Sequence, residues 1–228
     1  MPNDDTEGRP SDTIEDYLQS MYSLETEGER IISARLARWM RVTPPTAWAT
    51  VQRMNKSGMV EIDDKKTIHL TPHGRELAES VARRHRLSER FLNDVLGLGW
   101  AEAHAEAHHF EHAMTPVIEA SVVKILGNPT TCPHGSPIPG TGATLDPSWR
   151  PMDTFDVGEK MIVRFISEEL EEDLDLLHYL DKHGIKPGKL VEVTDRIASN
   201  SLLIVRSAEE DVSLGLQVAS RIRAEPVK

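Results

Sequence analysis

Residues 12–70 constrain the fold more than any other stretch, because their hydrophobic period runs at helical spacing three times and then switches to alternation. Ile14, Leu18, Met21, Tyr22 and Leu24 mark a first helix, with Asp12 or Thr13 placed to cap its start and Gly28 to close it. Ser33 opens a short second helix. Val42-Thr43-Pro44-Pro45 then makes a turn whose prolines suit the first turn of a third helix, which ends at Gly58. The runs 59–62 and 67–70 read as strands and flank a charged hairpin tip, Asp63-Asp64-Lys65-Lys66. Helix, turn, helix and hairpin, in that order, predict a winged helix-turn-helix.

The local charge agrees with that shape. The chain carries 26 Lys and Arg against 37 Asp and Glu, a formal charge of -11, which argues against indiscriminate coating of nucleic acid. Yet 33–58 holds Arg35, Arg38, Arg41, Arg53 and Lys56 and no acid. A basic segment shaped to enter a major groove points to duplex DNA; the plainer alternative is a solvated basic helix face. In the DNA reading, Pro45, Thr46, Trp48 and Ala49 meet base edges, with Gln52 one turn on. Arg35, Arg53, Lys56 and Lys66 contact phosphate, and Ser33 and Thr43 complete the candidate face. Trp48 has an alternative as a packing residue.

Beyond the hairpin, 71–95 and 101–127 are long helical stretches, the second open to a break or bend at Pro116. Their apolar surface exceeds what one small reading head covers, so a homodimer is expected through 74–127. The Pro- and Gly-rich stretch 128–153 reads as loop and linker. The runs 160–166, 190–193 and 202–205 are β-like and 168–183 reads as an inserted helix, which fits a small β-barrel of about 75 residues. The fold is therefore expected to be mainly α with a small β domain: a reading head over 1–73, a helical metal-binding and dimerisation domain over 74–141, a linker over 142–152 and a barrel over 153–228. Residues 1–11 are polar and expected to be disordered. No stretch reaches the roughly 18 apolar residues of a membrane span, and the N-terminus lacks the order of a secretory signal, so a cytoplasmic protein without a membrane partner is expected. The single cysteine, Cys132, allows no internal disulfide and no CxxC zinc site, which leaves His and carboxylate as the expected metal ligands.

Five of the ten histidines lie between 85 and 112. His104, His108, Glu111 and His112 fall within an arc of about 100° on one helix, and His85 and Glu89 form an i, i+4 pair on the preceding one. Two neighbouring stripes of imidazole and carboxylate point to divalent cations. His108-His109-Phe110-Glu111-His112 also matches H-x-x-E-H, an alternative in which two histidines hold zinc and the glutamate activates water for peptide hydrolysis.

These residues resemble the diphtheria toxin repressor family of metal-dependent transcriptional regulators, whose members include iron-dependent repressors and manganese transport regulators. The likeness spans nearly the whole chain. It is carried by Glu15-Asp16-Tyr17-Leu18, by Arg84-His85-Arg86-Leu87-Ser88-Glu89-Arg90-Phe91 and by the stretch 104–112. The loop 133–140 and a C-terminal part similar to the family's SH3-like barrel support it. The resemblance implies a regulatory metal site at Asp16, His108, Glu111 and His112. Asp16 stands where iron-responsive members place methionine and manganese-responsive members aspartate; His108 stands where they place cysteine and glutamate. It also implies an ancillary site at His85, Glu89 and His104, with Glu168 and Glu171 added from the barrel, and so two metal sites per chain. Gln19 stands where the manganese type offers a further carboxylate, a departure from its paired site. A regulatory set without sulfur suits Mn²⁺ or Fe²⁺, with manganese favoured. The implied activity is that of a non-enzymatic repressor without a small organic substrate, whose metal-loaded dimers occupy a near-palindromic operator and control metal-ion homeostasis.

Overall fold

The structure, a computed structural model, describes residues 10–227. The expected disorder of 1–9 lies outside them, while Ser11 is the N-cap of the first helix. The chain divides into two compact units, which part between Arg83 and Arg84.

The first unit is built from α1 (Asp12–Thr26), α2 (Ser33–Trp39), α3 (Pro44–Lys56), the strands β1 (Val60–Ile62) and β2 (Ile68–Leu70), and the opening turns of α4 (Pro72–Arg90). Neither Asp12 nor Thr13 is the cap of α1; both are already helical, and the N-cap residue is Ser11, whose side chain makes no capping hydrogen bond. Asp12 and Glu15 in the first turn complement the helix dipole instead. Leu18, Met21 and Leu24 of α1 pack with Leu36 of α2, Val51 and Met54 of α3, Val60 and Ile68 of the hairpin and Val81 of α4 in one core. Between α2 and α3, Arg41 takes a left-handed φ of 51° and Val42 N–H closes back on the Ala37 carbonyl at 2.9 Å. Thr43 caps α3 by accepting from Thr46 N–H at 3.4 Å, ahead of prolines that have no amide hydrogen to lose. The hairpin is antiparallel, pairing Val60 with Leu70 and Ile62 with Ile68. Its tip is fixed by Asp63, which accepts from the amides of Lys65 and Thr67 at 2.9 and 2.7 Å.

In the second unit the end of α4 runs into a π-helical turn, Phe91–Val95, and is followed by α5 (Trp100–Ala113) and α6 (Pro116–Ile125). The stretch after Gly99 is thus two helices. Pro116 has no N–H to continue the ladder, Met114 turns extended, and Thr115 caps α6 by accepting from Ile118 N–H at 3.4 Å. Six strands form one sheet: β3 (Arg150–Pro151), β4 (Lys160–Ile166), β5 (Leu190–Ile197), β6 (Leu202–Ser207), β7 (Glu210–Gly215) and β8 (Ile222–Pro226), in the order β3-β8-β4-β5-β6-β7. The expected helix over 168–183 is split into α7 (Glu168–Glu171) and α8 (Leu174–Lys182) because Asp173 caps the second, accepting from Leu176 N–H at 3.1 Å. A short α9 (Leu216–Ala219) precedes β8. Val163, Val193, Val205 and Ile222 of the sheet pack with Leu177 and Leu180 of α8 and with Trp100 at the start of α5. That packing fixes α5, the histidine-bearing helix, against the sheet domain.

The Pro- and Gly-rich stretch is not a loose loop throughout, since 132–139 is buried. Cys132 N–H bonds the Ser136 carbonyl, Ile166 N–H bonds the His134 carbonyl, both at 2.9 Å, and Arg86 donates to the Pro137 carbonyl at 2.5 Å. Among the described residues no helix is long and apolar enough to cross a membrane.

Candidate metal centre and nucleic-acid face

Helical spacing on α4 puts His85 and Glu89 one turn apart on a buried face, and α5 brings His104 against them. Glu171 reaches the same chamber from α7. One ligand atom from each of His85, Glu89, His104 and Glu171 lies within 4.8 Å of all the others, and all four residues are buried. His104 Nδ1 is 2.9 Å from Glu89 Oε1 and 3.5 Å from Glu171 Oε2; His85 Nε2 is 3.3 Å from Glu89 Oε1. Buried polar atoms ordinarily find a hydrogen bond. Here His85 Nε2, Glu89 Oε2, His104 Nε2 and both oxygens of Glu171 make none, which suits a chamber whose donors converge on a cation.

Charge in the chamber points the same way. Burial works against charging His85, but Glu111 and Glu89 outweigh it and hold its pKa well above the usual histidine range. Burial raises Glu89, yet His134 and His85 overcome it and keep Glu89 well below the usual carboxylate range. Burial lifts Glu171 to about 7 against the pull of His134. Carboxylates out of water are balanced here by imidazolium protons, and a divalent ion can replace those protons as the source of positive charge.

The remaining expected ligands divide between the units. Asp16 is on α1 in the first; His108, Glu111 and His112 are on α5 in the second. Glu111 is fully buried: its Oε2 meets His85 Nδ1, its Oε1 makes no hydrogen bond and lies 3.6 Å from His112 Nε2. Desolvation of the half-buried ring, then the neighbouring His85 and His104, push the His108 pKa well below the usual value, which favours the neutral, ligating imidazole. Glu168 is buried but is engaged by Arg86, whose Nε donates to its Oε1 at 2.7 Å.

Two residues beside the chamber escape sequence reasoning. His134, fully buried, places Nδ1 3.1 Å from Glu171 Oε2 and 3.3 Å from Glu89 Oε1, and Glu89, Cys132 and His134 form a further group of ligand atoms within 4.8 Å. The expectation that any metal is held by His and carboxylate alone therefore leaves out a thiol in reach. Burial, with Glu89 nearby, raises that thiol to about 11. The signal available was a Cys-x-His pair inside a proline-rich run.

In the first unit, the exposed edge of α3 carries Pro45, Thr46, Ala49, Arg53 and Lys56, with Thr43 exposed at its cap and Gln52 half-buried. Arg35 of α2 is engaged by Glu29 at 2.6 Å. A cleft of about 500 Å³ between α2 and the hairpin is lined by Arg30, Ser33, Trp48, Lys65 and Lys66, and the Lys66 ammonium lies 5.9 Å from the Trp48 ring centroid. Trp48 thus belongs to the cleft wall as well as to the core edge. Arg30 ties the hairpin tip down, donating to Thr67 Oγ1 at 2.8 Å and to the Lys65 carbonyl at 2.6 Å.

Residues 10–68 match the N-terminal DNA binding domain of iron dependent repressors, 71–140 their metal binding and dimerisation domain, and 150–226 the FeoA domain. The chain is 37% identical over 226 residues to the iron-dependent repressor IdeR of Mycobacterium leprae, covering 95% of this chain and 98% of that protein. It is 34% identical over 222 residues to the diphtheria toxin repressor of Corynebacterium diphtheriae, covering 94% and 97%. A manganese-dependent transcriptional repressor solved in complex with manganese superposes with a TM-score of 0.79 at 30% identity, covering 94% of this chain and all of that one.

Proposed function

Because the chain belongs to the diphtheria toxin repressor family of metal-dependent, DNA-binding transcriptional repressors, we propose that it is a corepressor switch that answers to Mn²⁺ or Fe²⁺ and binds its operator as a homodimer. It is not an enzyme, and no relative supports the peptidase reading of 108–112. The single observation that carries the proposal is the buried His85, Glu89, His104 and Glu171 chamber, whose convergent donors include atoms that make no hydrogen bond.

In this reading 1–73 is the DNA reader, 74–141 the metal-binding and dimerisation domain, 142–152 a linker and 153–228 the SH3-like domain. His85, Glu89, His104 and Glu171 hold the ancillary ion, with Glu168 acting through Arg86. Asp16, His108, Glu111 and His112 hold the regulatory ion. A bound cation supplies positive charge between carboxylates that otherwise repel. Asp16 and Glu111 are such a pair, so without that charge the chain has an electrostatic reason to keep α1 unfixed. Asp16 sits on the helix directly ahead of the reading pair α2 and α3, and fixing it sets the spacing of one reading head from its twin. A two-fold dimer of this kind reads a near-palindromic operator. The regulatory set offers oxygen and nitrogen but no sulfur, which favours manganese; a DNA-binding repressor places the chain in the cytoplasm.

The test is fluorescence anisotropy on the chain's own promoter with Mn²⁺, Fe²⁺, Co²⁺ and Zn²⁺. Manganese is expected to tighten DNA binding in the native chain and to leave Asp16→Ala unstimulated, with the metal-free melting curve of that variant unchanged. Metal stimulation that survives in Asp16→Ala overturns the assignment.

A further inference from the structure

His108 does more than extend the stripe on α5. Its ring centroid lies 4.9 Å from that of His104 and 4.8 Å from that of His85, and one nitrogen from each of the three lies within 4.8 Å of the others. On the outer side stands Glu172, with Oε1 3.8 Å from His108 Nε2 and 4.0 Å from His104 Nε2. His104 therefore has two working faces. Its Nδ1 looks inward to Glu89 and Glu171, while its Nε2, buried and without a hydrogen bond, is the nitrogen nearer Glu172.

We propose that His85, His104, His108 and Glu172 form a further position for a divalent cation, an outer, nitrogen-rich one that favours zinc or cobalt(II) and competes with the inner set of His85, Glu89, His104 and Glu171. The inference rests on the proposed roles of the inner set and of His108. A neutral imidazole has one lone pair, so the tautomer of His104 decides which face can hold an ion. With the lone pair on Nδ1 the ion sits inward and Nε2–H points toward Glu172; with the lone pair on Nε2 the ion sits outward and Nδ1–H donates to Glu89. The sharing of His85 and His104 makes the two positions alternatives.

Donor chemistry then separates the ions. The inner set has two imidazoles and two carboxylates, the outer three imidazoles and one carboxylate. Imidazole suits zinc and cobalt, whereas manganese is better served by oxygen. The side chains of His108 and Glu172 are 34% and 28% exposed, so a hydrated ion reaches the outer position first. An ion held there engages His108, which is then unavailable to the set that includes Asp16. Zinc in the outer position is bound without completing the switch, a means of discriminating against an ion whose intrinsic affinity exceeds that of manganese.

The experiment uses the full chain carrying Asp16→Ala, which disables the regulatory set, loaded with one equivalent of Co²⁺. Proton NMR then counts the hyperfine-shifted imidazole N–H resonances. Three are expected, falling to two when His108→Ala is added. Zinc affinity by competition titration is expected to fall about tenfold or more in His108→Ala and in Glu172→Gln, and in Glu172→Gln, which lies outside the regulatory set, manganese affinity is expected to stay within about twofold of the parent. Two resonances in the parent, or zinc affinity unchanged in both variants, overturns the outer position. Failure of the regulatory reading shows separately, as manganese-stimulated DNA binding that survives Asp16→Ala.

Discussion

At the residue scale, the position of His134 depends on its neighbour Gly135. That glycine has φ +94°, and a Cβ there would lie 2.2 Å from the Arg164 carbonyl oxygen. Gly135→Ala combines backbone strain with a clash against a main-chain atom that cannot swing away, so a loss of about 2–3 kcal/mol is expected. Because His134 faces Glu89 and Glu171, the variant should also lose part of its stabilisation by Mn²⁺. Paired thermal melts with and without the ion check both, and an unshifted metal-free melting temperature would show that the loop re-routes at little cost. The same residues explain what the sequence can reveal about the chamber. His85, Glu89 and His104 are legible because a helix turns fixed spacing into a shared face. Cys132 and His134 are not, because their path is set by Arg86, Ile166 and Gly135, interactions that no local period encodes. Glu168 and Glu171 are both buried and differ in what they meet, Arg86 for one and His104 and His134 for the other, which spacing alone cannot separate.

At the element scale, α3 and the hairpin are legible for a simple reason: both are short, local and punctuated by proline or a charged tip. The strands β7 and β8 are illegible because polar residues such as Glu210, Asp211 and Glu225 occupy half of each and mask the buried half. The break between α5 and α6 follows from one proline, but whether the helix bends or ends there depends on Thr115 being able to cap. For the reading helix the electrostatic expectation is direct. Arg53 is exposed on α3, its Nη2 donating to Thr50 Oγ1 at 3.2 Å, so its removal leaves the core packing undisturbed. Arg53→Ala should weaken binding to operator and to unrelated DNA alike and reduce the slope of log K against log salt by about 0.9 for each phosphate that the side chain no longer neutralises. Anisotropy across a salt series measures that slope, and an unchanged value removes Arg53 from the set of phosphate ligands.

At the scale of the whole molecule, the proposed switch is a coupling between two kinds of binding rather than a property of either. If a metal-loaded shape is the one that grips DNA, then operator must favour that shape too, and each ligand must tighten the other by the same factor. Couplings of this kind amount to about 1–3 kcal/mol, or roughly 5- to 150-fold. Manganese titrated calorimetrically into the dimer should therefore bind more tightly when saturating operator is present, by the factor through which saturating manganese tightens operator binding. Asp16→Ala should remove the effect in both directions if Asp16 is the regulatory ligand proposed above, since the substitution leaves the chamber on α4, α5 and α7 intact. Manganese affinity that is indifferent to operator would mean that the ion acts on something other than the DNA-competent shape, such as assembly of the dimer. That outcome would reveal itself as an activation that depends on protein concentration.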